Sequence, residues 1–595
     1  MAGPLAYSGF FRKYVNSASS KVSSTDRGIE MSHSVQGSPS EATRLLCAGT
    51  YLDIEFRRRV IEELVEHEER PIAPSLGVDV VPVLTHALRA RGQDTLTALL
   101  LLALWVGFIA VDFASAPEGA EGPPFGGLWS LSYAAVCLLH WGAHAAAGRG
   151  SATYVVDRRT LREALQGSGA QRALRALLPG LPLITLAYWL FALWALAQGA
   201  GNWAGIIFPL LLVVPVWMHR ARVAAVMRDE LSRKAFTEED RPLPDSAYHR
   251  RIARSIDREQ YAGLTIYDPS RPFIGMGVPY EPWSFALELK RAKASPSAPP
   301  SPSASNGTAN GATNDTPLGA AGAAGAAGAP FTGRTVVELI RPRLEALRQA
   351  AAATSRDRLK DLEIDEFVYL PVGPQRPMVS YDERTVRMHL AEAVNEGGEA
   401  RRYFLRVRVG AWDEQVVVSV LVRVHTQGGM LVLEVVPHVL TPVRAEFRAV
   451  DVIASRGEED MLRDGLRALL TAPAAGFAAA VSTVRSGVSG FRTWLADPRR
   501  SAPDGPAHSV RELAAAKEIS LFQEMDVSRY VKTVQDRIAS GVREALRSQG
   551  YETDRFEQQI VQISEGAIYI GQMSGGAVAQ GAGAEAKHLT GSGGR

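Results

Sequence analysis

Four apolar runs crowded into residues 95–218 constrain this 595-residue chain more than anything else in it. A helix that crosses a bilayer needs about 20 largely apolar residues and must satisfy its backbone internally, because the hydrocarbon core offers no water. Thr95–Ala114 carries a single charge, Asp112, near its end, and Leu128–Ala147 is uncharged but more polar. Leu177–Ala197 and the shorter Trp203–Met218 are joined by a few residues and form a tight hairpin in this reading, with Gly180, Pro182, Pro209 and Pro215 inside them. Buried helices of a water-filled cell's globular proteins are usually shorter and polar-interrupted, so the expected fold is a membrane α-helical domain of four transmembrane helices (95–114, 128–147, 177–197, 203–218).

Loop charges give an orientation, because segments held in the cytoplasm carry excess Lys and Arg. Arg57, Arg58, Arg59, Arg89 and Arg91 precede the first run; Arg149, Arg158, Arg159 and Arg162 lie between the second and third; Arg220, Arg222 and Arg228 follow the fourth. The intervening loops hold Glu118 and Glu121 or no charge. This alternation places both termini in the cytoplasm of a bacterial cell with the chain in its inner membrane. Residues 1–30 lack the apolar core of a signal peptide, and Met31 offers an alternative start. Only nine of the 65 basic residues are lysine, a bias that fits a GC-rich bacterial genome.

The remaining chain divides by composition. Residues 1–40 are expected to be disordered, 41–94 helical and cytoplasmic, and 219–293 a charged helix followed by a β-hairpin. Residues 294–333 are an Ala/Gly/Pro/Ser linker with too little apolar area to offset the entropy of ordering. Residues 334–500 are expected to form a cytoplasmic α+β domain with an antiparallel β-meander: strands at 403–409, 415–425 and 430–438, with Val416, Val418, Val420, Val422 and Val424 on one face. Thr426–Gly429 supplies the glycine-bearing hairpin turn, and 475–495 repeats apolar residues at helical spacing. A helical region (501–555) and a Gly-rich, β-prone tail (556–595) complete the C-terminal part.

Two stretches, PFIGMGVPYEPWSFALEL at Pro272–Leu289 and GAIYIGQMSGGAVAQGAGAEA at Gly566–Ala586, resemble multi-span membrane proteins of actinomycete-type bacteria, a family with no established activity. That resemblance implies a bacterial membrane protein and no site residues. The tail also resembles amyloid-signalling motifs through Ile560, Val561, Gln562 and Ile563 and through Ile568, Tyr569, Ile570 and Gly571, which are candidate assembly residues.

Chemistry-bearing patterns are sparse. His140 and His144 stand at i, i+4, a spacing that metal or haem ligands use, and Asp112 is a carboxylate at the edge of a span. Glu63, Glu66, Glu68 and Glu69 cluster with His67 on a charged helix, and Cys137 sits in apolar surroundings that keep a thiol inert. The glycines of PFIGMGVPY match neither GxGxxG nor GxxxxGKS and read as a turn. With no GxSxG, HExxH, P-loop or kinase set, no catalytic residue, cofactor or metal is expected. The near-balanced charge of +2 gives no reason to expect nucleic acid. The sequence points to a non-enzymatic membrane protein whose partners are the lipid bilayer and other proteins or its own copies. A transporter or channel subunit, or a membrane-tethered ligand sensor, is the alternative.

Overall fold

The computed structural model describes residues 40–115, 128–146, 180–198, 203–236, 241–292, 331–354, 357–372, 379–396, 401–455, 495 and 505–564. The chain enters helix α1 (Glu41–Leu52) through Ser40, whose Oγ accepts the Thr43 N–H at 3.0 Å. Asp53 then caps α2 (Ile54–Ile61) by accepting from the Glu55 and Phe56 amides, so one carboxylate satisfies two orphan donors. A π-helical turn (Glu62–Glu66) follows, and α3 (Val80–Ala114) starts beyond Pro71 and Pro74.

At 35 residues, α3 has two characters. Its first third (Val80, Val81, Val83, Leu84, Ala87, Ala90) is buried against α1 and α2, whereas Leu96, Leu99, Leu102, Val106, Ile109 and Phe113 further along are exposed. Helix α4 (Leu128–Ala146) and α5 (Leu181–Ala197) share a small aromatic-rich core with those later turns. Helix α6 (Ala204–Asp229) runs back through that core and delivers Val223 and Met227 to the core that holds the start of α3.

Four transmembrane helices are therefore not what the structure contains. Among the described residues only α3 and α6 are long and apolar enough to cross a membrane. The apolar stretch of α5, Leu183–Ala197, is too short. Helix α4 has the length, but Ser130, Ser132, Tyr133, His140 and Trp141 dilute its apolar character.

The second half is built on one mixed sheet. Among the described residues it has seven strands: β1 (Leu264–Tyr267), β2 (Val278–Pro279), β3 (Trp283–Glu288), β4 (Glu363–Pro371), β5 (Arg402–Ala411), β6 (Val416–Gln427) and β7 (Met430–Leu440). The order is β1-β4-β5-β6-β7-β2, with β3 also on the outer side of β7. The expected meander is thus only its antiparallel middle, since β1 joins parallel to β4. The hairpin expected within 219–293, after helix α7 (Ala247–Gln260), does not form either: its two strands, β1 and β3, pair with β4 and β7 and not with each other. Pro437 in β7 costs no ladder bond. Its carbonyl accepts Tyr280 N–H from the outer side, so its missing N–H falls where the partner changes from β3 to β2.

Helix α8 (Gly333–Thr354), which runs through Pro342, packs with α12 (Leu521–Ser548) on the face carrying Val416, Val418, Val420, Val422 and Val424. Gln427 pairs with Met430 across a two-residue turn in which Gly428 and Gly429 take φ +58° and +76°. Helix α9 (Glu383–Ala393) flanks β4, and Phe556 of α13 (Asp554–Ser564) joins the same core. The opposite face is also covered: Phe367, Tyr369, Phe404, Val417 and Leu421 pack with Met276, Phe273 and Leu76. That second burial makes β6 apolar on both faces. Short helices α10 (Ala449–Ala454) and α11 (Val510–Leu513) return from the sheet to the first helical core through Val450, Ile453 and Val510. Buried Arg44 ties the same junction, bridging Glu41 and Asp451 and donating to the Leu231 carbonyl at 2.8 Å.

Candidate functional site

The residues singled out from sequence fall into three places. Asp112 is buried and accepts the Ser130 N–H at 2.9 Å, so it caps the start of α4 from α3, where a carboxylate also meets the positive end of the helix dipole. His140 is buried, with Nε2 2.9 Å from Thr185 Oγ1 and 3.2 Å from the Leu181 carbonyl; it pairs α4 with the start of α5. The side chain of His144 lies outside the described residues. No group of three or more His, Cys, Asp or Glu able to hold a metal occurs among the described residues. Ile560, Val561, Gln562 and Ile563 are helical, in α13, and not a strand; Ile560 packs against the main core one turn after Phe556. Ile568, Tyr569, Ile570 and Gly571, and the 475–495 amphipathic segment apart from Leu495, lie outside the described residues.

A concave site among the described residues lies elsewhere, on the sheet face opposite α8 and α12. There the 271–279 loop, β7 and the 505–513 segment enclose a cleft of about 510 Å³. The loop owes its shape to Gly275 and Gly277, at φ +96° and +91°, conformations that side-chain-bearing residues rarely adopt. At Gly277 a Cβ would stand 2.6 Å from the Val439 carbonyl carbon and 2.8 Å from Leu440 N. The two glycine amides converge on one atom, Glu512 Oε1, at 2.8 and 2.9 Å. This is a backbone anion nest filled by a carboxylate of the same chain. Burial raises the Glu512 pKa, and the two N–H donors pull the other way.

The 505–513 segment is pinned at two further points, both before Glu512. Glu63 Oε1 accepts the Ala507 and His508 amides at 2.9 and 3.2 Å. Arg511, fully buried, donates from Nη2 to the Gln415 and Thr441 carbonyls at 2.7 Å each. Its Nε and Nη1 have no hydrogen-bond partner among the described residues, and burial lowers its pKa to about 10, which leaves it cationic at neutral pH.

His438 supplies the polar group on the β7 wall. It is fully buried, and Phe273 lies against it with ring centroids 4.8 Å apart. Nδ1 stands 3.2 Å from the Val436 carbonyl, a contact only a protonated Nδ1 can make as a hydrogen bond. In the neutral ring Nε2 is then an acceptor, and it has no partner among the described residues. Burial lowers the His438 pKa to about 4, so the neutral ring is the form present at pH 7. Apolar Pro272, Ile274 and Leu513 complete the lining, with Arg271 exposed beside them. The cleft offers one buried acceptor, a carboxylate already engaged and an apolar wall, a set suited to holding a ligand.

Sequence reasoning placed none of these residues in a site. The Gly-x-Gly of PFIGMGVPY was the available signal, but its partner Glu512 is 235 residues from Gly277 and invisible to any local pattern.

Fold and site together define an α+β unit with one lined cleft, seated on a helical body that carries two long apolar helices. An AbeC-like domain spans residues 282–578, which takes in β3 to β7, α8, α12, His438 and Glu512 but not the glycine loop that completes the cleft. No curated protein and no solved structure matches the chain.

Proposed function

We propose that this chain is a membrane-anchored, non-enzymatic binding protein of a bacterial inner membrane, which holds its α+β unit against the cytoplasmic surface and presents it to partners. The observation that carries this reading is the division of α3 and α6. Both have one end buried in the same helical core, and both expose apolar side chains at the other: Leu99, Leu102 and Val106 in α3, Ile207, Leu210 and Val214 in α6. Such a pair leaves the core and returns to it, so an even number of crossings keeps everything attached to that core on one side. Arg89 and Arg91 precede the apolar stretch of α3, Arg57 pairs with Asp94 at its start, and Arg220 and Arg222 follow the apolar stretch of α6, a distribution that favours the cytoplasm.

Cell fractionation with alkaline carbonate extraction, combined with reporter fusions in the 116–127 connection and after Ser564, tests the reading. The protein is expected to stay in the membrane pellet, with the first reporter outside and the second inside. Release by carbonate, or a C-terminal reporter on the outer side, overturns it.

A further inference from the structure

We propose that the cleft between β7, the 271–279 loop and the 505–513 segment binds an apolar small molecule that presents one N–H or O–H donor, which His438 Nε2 receives. This inference does not depend on the membrane reading, because the cleft is formed wholly by the sheet and the segments laid over it.

Three observations converge. The cleft, at about 510 Å³, falls within the roughly 300–1,000 Å³ of small-molecule sites. Its lining is chiefly apolar, with Phe273, Ile274 and Leu513 prominent, so a ligand gains most of its affinity from desolvation. Among its polar groups, Glu512 already takes two amides through Oε1, whereas His438 Nε2 is buried and has no partner among the described residues. A buried acceptor left unmet is unfavourable, and a ligand that meets it recovers that cost. Phe273, itself half-buried, lies against the imidazole, so its ring has to turn aside as the ligand enters. Because Nδ1–H is committed to the Val436 carbonyl, Nε2 selects donors and rejects acceptors. The other charged groups at the cleft, Arg271, His508 and Glu512, do not compete for this role, since none is an unengaged buried acceptor.

Indole and 1-methylindole test the idea, because they differ at the one N–H the site is built to receive. Titrated calorimetrically into the detergent-solubilised full chain, indole is expected to bind about tenfold more tightly than its methylated analogue. His438→Phe is expected to bind both with the same affinity. Leu513→Trp, which fills the cleft, is expected to bind neither while its melting curve stays close to that of the parent; Ile274→Trp serves if Leu513→Trp does not fold. Equal binding of the two indoles by the parent protein overturns the proposal, as does absence of indole binding at millimolar concentration or undiminished binding by the filled-cleft variant.

Discussion

Replacing Gly277 by alanine tests whether the glycine loop is a built element or an incidental turn. At φ +91° an alanine is strained by about 1–2 kcal/mol. Its Cβ also meets the β7 backbone at Val439 and Leu440, well inside the 3.0 Å that real Cβ contacts respect. Backbone cannot step aside as a flexible side chain does, so the loop must move away and stretch the Gly277 N–H bond to Glu512, a charge-assisted bond of about 1.5–3 kcal/mol. The sum is about 3–5 kcal/mol. Gly428→Ala is the control: it has positive φ as well, +58°, but nothing within 4 Å of its Cβ, so only about 1 kcal/mol of backbone strain is expected. Urea unfolding of the detergent-solubilised protein, followed by protease susceptibility, reads the difference. With a slope of about 2 kcal/mol per molar, Gly277→Ala lowers the midpoint by about 2 M and Gly428→Ala by about 0.5 M. The same logic makes Glu512→Ala milder in the Gly277→Ala background than in the parent, because of the two amide bonds it would remove that of Gly277 is already lost and only that of Gly275 is left. Equal midpoints for the two glycine variants, or full additivity with Glu512→Ala, refutes the account of the nest.

Two further outcomes follow from the same geometry. His438 is held at about 4 against an ordinary 6.5, so as pH falls below 6.5 the unfolded chain takes up a proton that the folded one refuses. Stability is therefore lost between pH 6.5 and 4, by about 3 kcal/mol from this group, and urea midpoints of His438→Gln should fall less over that window than those of the parent. Asp112→Ala removes the carboxylate that caps α4 and should cost about 1 kcal/mol in the same unfolding assay, whereas Asp112→Asn, still able to accept the Ser130 amide, should retain most of it.

What was legible in the sequence, and what was not, divides along the range of the interactions responsible. The valines of β6 announced a strand because a two-residue period is local, and Gly428–Gly429 announced its turn for the same reason. The parallel pairing of β1 with β4 joins residues about a hundred positions apart, and no pattern at either end encodes the other. At 560–563 β-branched residues suggested a strand, but Phe556 and Ile560 stand four apart and reach the same core only from a helix, so packing overrode propensity. The four apolar runs show the same limit in reverse. Hydropathy measures what a segment is made of, not where it stops, and α3 begins 15 residues before its apolar run because Val80, Val83 and Leu84 already belong to a core. A run that is continuous with a buried helix is anchored at one end before any bilayer is considered. That is the physical reason α3 and α6 can act as struts: their buried halves fix the direction in which their exposed halves leave the protein. The cleft follows the same rule. His438 reads as a strand residue and Glu512 as one charge among many, and the two line one cleft only when segments far apart in sequence close over them.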